Sequence, residues 1–224
     1  MDGAPALRER TMTTVTPGAR GTAHDGQRDE AVSTPASVSA GIADPGPLGL
    51  AGFAGTTFFL SAVNAGLLPK TVEGAVFGLA IFYGGIAQLL AGMWEFTKGN
   101  TFGALAFSSY GAFWLSFWYL VTHLPKASAS DLDKAVGTYL LIWTIFTVYM
   151  FIASMRTSGA IMAVFALLAL TFLFLCIGAY SGTAGMTKVG GWLGLATAVV
   201  AWYTSLAGVF NSTAKRAALP TFPR

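Results

Sequence analysis

The chain has 224 residues, of which 54% are hydrophobic and only 10% charged; 13 Lys and Arg face 10 Asp and Glu, for a net charge of +3. A soluble domain carries about 25% charged residues, so the deficit excludes water as the main solvent and predicts one compact membrane bundle. The positive charges lie in termini and loops without a basic patch interleaved with aromatics, which speaks against nucleic acid as a partner. Cys176 is the only cysteine, so neither an internal disulfide nor a cysteine metal cluster is encoded.

Residues 1–43 are rich in Ala, Gly, Thr, Ser and Pro, and contain no apolar run able to bury itself. They read as a disordered N-terminal tail. This tail lacks the apolar core of a cleavable signal peptide, so the first helix is expected to direct insertion. His24 reads as solvated.

The tail ends at DPGPLGLAGFAGTT, residues 44–57. Pro45 and Pro47 suit a first helical turn, where a missing N–H costs nothing, and Asp44 is placed to cap it. From Leu48, 21 residues pass without a charge, close to the roughly 20 needed to cross a bilayer core. Five further apolar stretches follow the first, 48–68, at residues 72–94, 101–121, 136–155, 161–180 and 189–210. The predicted fold class is therefore an all-α integral membrane protein with six transmembrane helices in a domain spanning residues 44–211, followed by a short tail, 212–224. Trp94, Trp118, Trp143, Trp192 and Trp202 lie mostly toward stretch ends, as an interfacial belt would require.

Six spans put both termini on one side. With the termini inside, nine Lys and Arg lie inside and four outside, favouring cytoplasmic termini in a cell (plasma) membrane.

The span interiors lack Asp, Glu, Lys, Arg and His, except for Glu73 and Glu95 near the ends of the second. A voltage sensor or a central carboxylate relay would need such groups at mid-depth. What the spans carry is uncharged polar groups, among them Thr56, Thr57, Asn64, Gln88 and Tyr110. Gly49, Phe53, Thr56, Leu60 and Asn64 share one helical face of the first span, and Gly84, Gln88, Ala91 and Glu95 one face of the second. Such faces have two readings, close helix packing and the lining of a pore. Glu95 likewise reads either as a solvated interfacial carboxylate paired with Lys98, or as a vestibule group whose protonation affects entry. No H-E-x-x-H, nucleotide-binding loop or G-x-S-x-G is present, so an enzyme is not predicted, and no cofactor or metal is expected.

Residues 44–57 resemble the NPAPLGL-type signature of the acetate uptake transporter family, which groups yeast acetate/ammonium-related proteins with bacterial succinate–acetate permeases. Residues 83–114, YGGIAQLLAGMWEFTKGNTFGALAFSSYGAFW, are similar to that family's YGG-A-Q-AG-E, GNTFG and SYG-FW series, in the same order. The resemblance implies a six-helix protomer, a hexameric ring, and one pathway per protomer for acetate and related small monocarboxylates, with succinate in some members. It also implies a hydrophobic waist, for which Phe53, Tyr110 and Leu168 are the counterparts here. Thr56, Thr57, Asn64, Gln88 and Glu95 are then the polar pathway candidates, and Asp44, Pro45, Pro47, Leu48 and Gly49 form the entrance motif. Asp44 replaces the usual Asn and Gly46 the usual Ala. The added negative charge predicts uptake favoured by acid, either through proton linkage or through channel-like passage of the protonated species. The competing reading is a membrane sensor or scaffold that keeps the fold without transport.

Overall fold

A computed structural model describes residues 41–224; most of the expected N-terminal tail, with His24, lies outside the described residues. The elements are α1 (Gly46–Ala65), a 3-10 segment (Lys70–Val76), a π-helical segment (Leu79–Ala87) that runs into α2 (Gln88–Thr97), α3 (Thr101–Thr122), α4 (Ala129–Ser154), α5 (Gly159–Ser181) and α6 (Ala184–Ala214). Among the described residues, six helical segments are long and apolar enough to cross a membrane, the second being Leu79–Thr97.

The helix starts follow local chemistry. Asp44 accepts a 3.2 Å hydrogen bond from the Gly46 N–H, one residue ahead of the Pro45 N-cap position. The Asn100 side chain accepts from Gly103 N–H at 3.1 Å and starts α3. Ser128 and Ser158 start α4 and α5 in the same way. At the other end, Gly66 closes α1 at φ 82°, a left-handed conformation that glycine adopts without steric cost.

Helix boundaries differ from the sequence expectation where helices continue beyond the apolar run. α4 begins at Ala129, so the second half of the 122–135 gap between the third and fourth apolar stretches is helix. Its first turns carry Asp131, Asp133 and Lys134, and Ser128 Oγ both accepts from the Asp131 N–H and donates to its carboxylate. α6 likewise begins at Ala184 and runs to Ala214. The second span begins at Leu79, because residues 70–76 wind as a 3-10 helix after Pro69. Trp143 is also displaced from the expected belt. It packs inside the bundle, against Phe113 at 5.0 Å and Phe146 at 5.6 Å between ring centroids.

α1 is the central helix and packs most extensively against α6. This approach depends on glycine: a Cβ on Gly191 of α6 would lie 2.2 Å from the Ala65 backbone nitrogen. α1 also meets the π-helical segment closely, since a Cβ on Gly52 would lie 2.5 Å from the Tyr83 carbonyl oxygen. Several buried hydroxyls bond within their own helices, as a lipid surrounding favours. Thr144 donates to the Leu140 carbonyl, Thr171 to Leu167, Thr197 to Leu193 and Thr204 to Val200, each at 2.8 Å. Cys176 is buried with its thiol 3.4 Å from the Gly137 carbonyl, a small apolar packing residue.

Candidate functional site

Two cavities of similar size enter the bundle from opposite ends. The first, about 520 Å³, is bounded by the starts of α1, α3 and α5 and the ends of α2 and α6. The second, about 530 Å³, is bounded by the end of α1, the 3-10 segment, the end of α3, the start of α4, the end of α5 and the start of α6. No residue lines both.

Phe53, Tyr110 and Leu168 all line the first cavity and are almost fully buried. Tyr110 is fixed from several sides. Its ring lies 5.7 Å from Phe53, 5.3 Å edge-on to Phe146 and 6.1 Å from Phe165, and its hydroxyl lies 2.8 Å from Thr147 Oγ1. Thr147 in turn donates to the Trp143 carbonyl at 2.7 Å, which leaves the Tyr110 O–H to donate to Thr147. Leu168 belongs to the same buried cluster.

Leu60, Phe113 and Phe172 line the second cavity. The two triads thus face each other across the middle of the bundle, each with one residue from α1, α3 and α5. Leu60 lies two turns beyond Phe53, Phe113 one turn beyond Tyr110, and Phe172 one turn beyond Leu168. Phe113 and Phe172 meet edge to face with centroids 5.2 Å apart. Each cavity is thus lined by an apolar triad, whereas the resemblance implies one waist. Phe113 stands inside the SYG-FW block with nothing in the pattern to mark it as a pathway residue, and α5 offers no landmark for Phe172.

The polar candidates divide between these places. Gln88 lines the first cavity with its Oε1 buried and unpartnered. Asn64 lines the second cavity, with Lys70, Glu73 and Asp133. Thr56 and Thr57 line neither. Thr56 Oγ1 donates to the Gly52 carbonyl at 2.9 Å and lies 3.4 Å from that of Leu79, so it seals α1 against the π-helical segment. In the entrance motif, Asp44 and Pro47 line the first cavity. Gly49 instead admits the Phe107 ring, which a Cβ would meet at 2.6 Å, Pro45 is buried, and Leu48 faces outward.

Glu95 departs from the solvated reading. It is 2% exposed and lines the first cavity. Its Oε2 accepts from Asn100 Nδ2 at 2.9 Å, while Lys98 lies 3.5 Å from Asp44 instead. The cause is the turn between α2 and α3: Asn100 N–H donates to the Glu95 carbonyl at 3.0 Å, which folds Asn100 back over the carboxylate. Gly103 gives it room, since a Cβ there would lie 2.6 Å from Asn100 Nδ2. One side chain therefore caps α3 through its oxygen and holds Glu95 through its nitrogen.

Phe53, Tyr110 and Leu168 share the lining of the first cavity with Gln88. Among the described residues, no group of three or more His, Cys, Asp and Glu is arranged to hold a metal.

The family model described as GPR1/FUN34/yaaH family matches residues 29–223. The chain belongs to this family. It is 47% identical over 174 residues to Accumulation of dyads protein 2 of Saccharomyces cerevisiae, covering 75% of this chain and 62% of the yeast protein. The chain thus spans less than two thirds of that relative's length. It is 39% identical over 181 residues to the succinate-acetate/proton symporter SatP of Escherichia coli K12, covering 80% of this chain and 95% of the symporter. Its fold matches the solved structure of the bacterial acetate channel SatP with a TM-score of 0.74 and 38% identity, over 80% of this chain and 99% of that one.

Proposed function

We propose that this protein carries acetate and related small monocarboxylates, with succinate as a larger candidate, across a membrane through one pathway per protomer. The reading rests on one observation: two cavities approach each other from opposite ends of a six-helix bundle and are separated by an apolar partition that contains Phe53, Tyr110 and Leu168. The likeness to a succinate-acetate/proton symporter supports the substrate class.

A partition without a cation penalises a bare carboxylate and favours a neutralised acid or a briefly dehydrated ion. Gln88, at the edge of the first layer, offers an amide to a carboxyl group. Lys98, Arg156, Lys215 and Arg216 cluster by sequence at the end where the first cavity opens, and Lys70, Lys126, Lys134 and Lys188 at the other. Under the positive-inside rule the first cavity is the cytoplasmic mouth, with both termini cytoplasmic in a plasma membrane. Residues 44–211 form the transport domain.

Assembly into a homohexamer is part of this reading. Large apolar side chains exposed along α4 (Ile142, Ile145, Ile152) and α6 (Trp192, Val199, Leu206) support a protomer surrounded by lipid and neighbouring copies. Labelled-acetate uptake into proteoliposomes, with and without an imposed pH gradient, tests the function. Uptake accelerated by an acidic exterior supports proton linkage, uptake indifferent to the gradient leaves a passive pore, and absence of uptake removes the transport reading.

A further inference from the structure

We propose that residues 219–224 form part of the wall of the first cavity, and that Asn211 is the positioning residue that holds them there, so that this segment helps set which acids pass the mouth. The proposal rests on the transport reading above.

After α6 ends at Ala214 the chain reverses at Lys215, φ 51°, and returns to the bundle. Asn211 Oδ1 accepts from the N–H groups of Ala218 and Leu219, both at 2.8 Å, and its Nδ2 donates to the Leu219 carbonyl at 2.8 Å. Tyr203, also on α6, donates its hydroxyl to the Pro220 carbonyl at 2.7 Å. The segment then crosses to the start of α5. Gly159 N–H donates to the Phe222 carbonyl at 2.8 Å, Ala160 N–H to that of Thr221 at 3.2 Å, and Arg224 N–H to that of Thr157 at 3.2 Å.

These bonds tie one short stretch to two helices. They occupy the first amides of α5, which would otherwise be free donors at the mouth. Gly159 allows the close fit, since a Cβ there would lie 3.0 Å from that of Phe222. Phe222 is held at φ 55°, a conformation a bulky residue keeps only when its surroundings fix it. Thr221, Asn211, Thr157 and Ser158 all line the first cavity. The segment is a strap across the α5–α6 side of the mouth, and releasing it widens that side.

The strap can be locked for a test. Ser158 and Pro223 face each other as an antiparallel pair flanked by, and not sharing, the hydrogen bonds. Such pairs have Cα atoms about 4.5 Å apart, within disulfide reach. Cys176, the only native cysteine, is buried.

In proteoliposomes, Asn211→Ala should raise butyrate uptake relative to acetate several-fold. Adding Ser158→Cys and Pro223→Cys under oxidising conditions should return the ratio to the wild-type value, and reduction should raise it again. Tyr203→Phe and a deletion of residues 219–224 serve as second variants should Asn211→Ala not assemble. The proposal is overturned by an unchanged butyrate-to-acetate ratio in a variant whose strap is released, as read by maleimide labelling of an added Thr221→Cys, or by a raised ratio that ignores the disulfide. A wild-type protein that transports no acetate would remove the transport reading and this one with it; normal acetate uptake with an unmoved ratio would remove the strap alone.

Discussion

The ring of Phe53 on α1 meets that of Tyr110 on α3 with centroids 5.7 Å apart and planes inclined at 55°, and Thr147 holds the Tyr110 hydroxyl from α4. Neither ring can turn aside without disturbing a packed neighbour, so the aperture they leave is set by side-chain volume. Tyr110→Ala or Phe53→Ala should widen passage and raise the succinate-to-acetate flux ratio in proteoliposomes. Truncating a buried aromatic costs about 3–5 kcal/mol, so Phe53→Leu is the gentler arm, with a smaller change of the same sign. Tyr110→Phe should cost only about 1 kcal/mol, because Thr147 keeps its bond to the Trp143 carbonyl. Unchanged flux ratios in all these variants would remove the pair from the waist.

Two apolar layers in series make a second, separable prediction. If Leu60, Phe113 and Phe172 form a barrier of their own, opening one layer leaves the other limiting. Phe172→Ala and Phe53→Leu should each raise butyrate flux modestly, and the double variant should exceed the product of the single effects. A strictly multiplicative double variant would mean that one layer alone limits passage.

Glu95 and Asn100 can be uncoupled by choice of substitution. Glu95→Gln keeps an acceptor for Asn100 Nδ2 and removes the charge, so thermal stability in detergent should stay within about 1 kcal/mol of wild type while the pH profile of acetate uptake changes. Asn100→Ala loses the α3 cap as well, at about 1 kcal/mol, and should lower the melting temperature. Asn100→Asp keeps the cap but faces Glu95 with a like charge. An unaltered pH profile in Glu95→Gln would show the carboxylate to be structural only.

Asp44 and Lys98, 3.5 Å apart, sit at the same mouth as Glu95. This partly exposed pair contributes little to stability, typically under about 1 kcal/mol, so its substitutions report on the field at the mouth. Asp44→Asn should make uptake less dependent on acid by removing a charge that repels carboxylates. Lys98→Ala leaves Asp44 unbalanced beside Glu95 and should steepen that dependence. Both differences should shrink at high ionic strength, because the charges are screened. A pH dependence identical to wild type in Asp44→Asn would remove this residue from the explanation.

The architecture was legible because lipid permits few solutions: charge-free runs of about 20 residues, broken by Pro, Gly and Lys, can only be spans. Boundaries slipped where that constraint ends. The first turns of α4 carry Asp131, Asp133 and Lys134 and look like loop, although Ser128 starts a helix there. The placement of Glu95 was hidden because its partner, Asn100, lies beyond the helix end, where spacing rules for one helix do not apply. Thr56 and Phe53 share one face by spacing, yet three residues of helical rotation suffice to turn one toward the π-helical segment and the other into the cavity. Asn211 had no sequence signal, since its bonds go to backbone atoms of a segment with no motif.

The two cavities, about 520 and 530 Å³, open toward opposite ends of the bundle. Whatever their relative sizes, a passive route between two such cavities cannot move an equilibrium. On the proposed function, net flow would follow the substrate gradient across the membrane, and reversing that gradient would turn an importer into an exporter with the same residues.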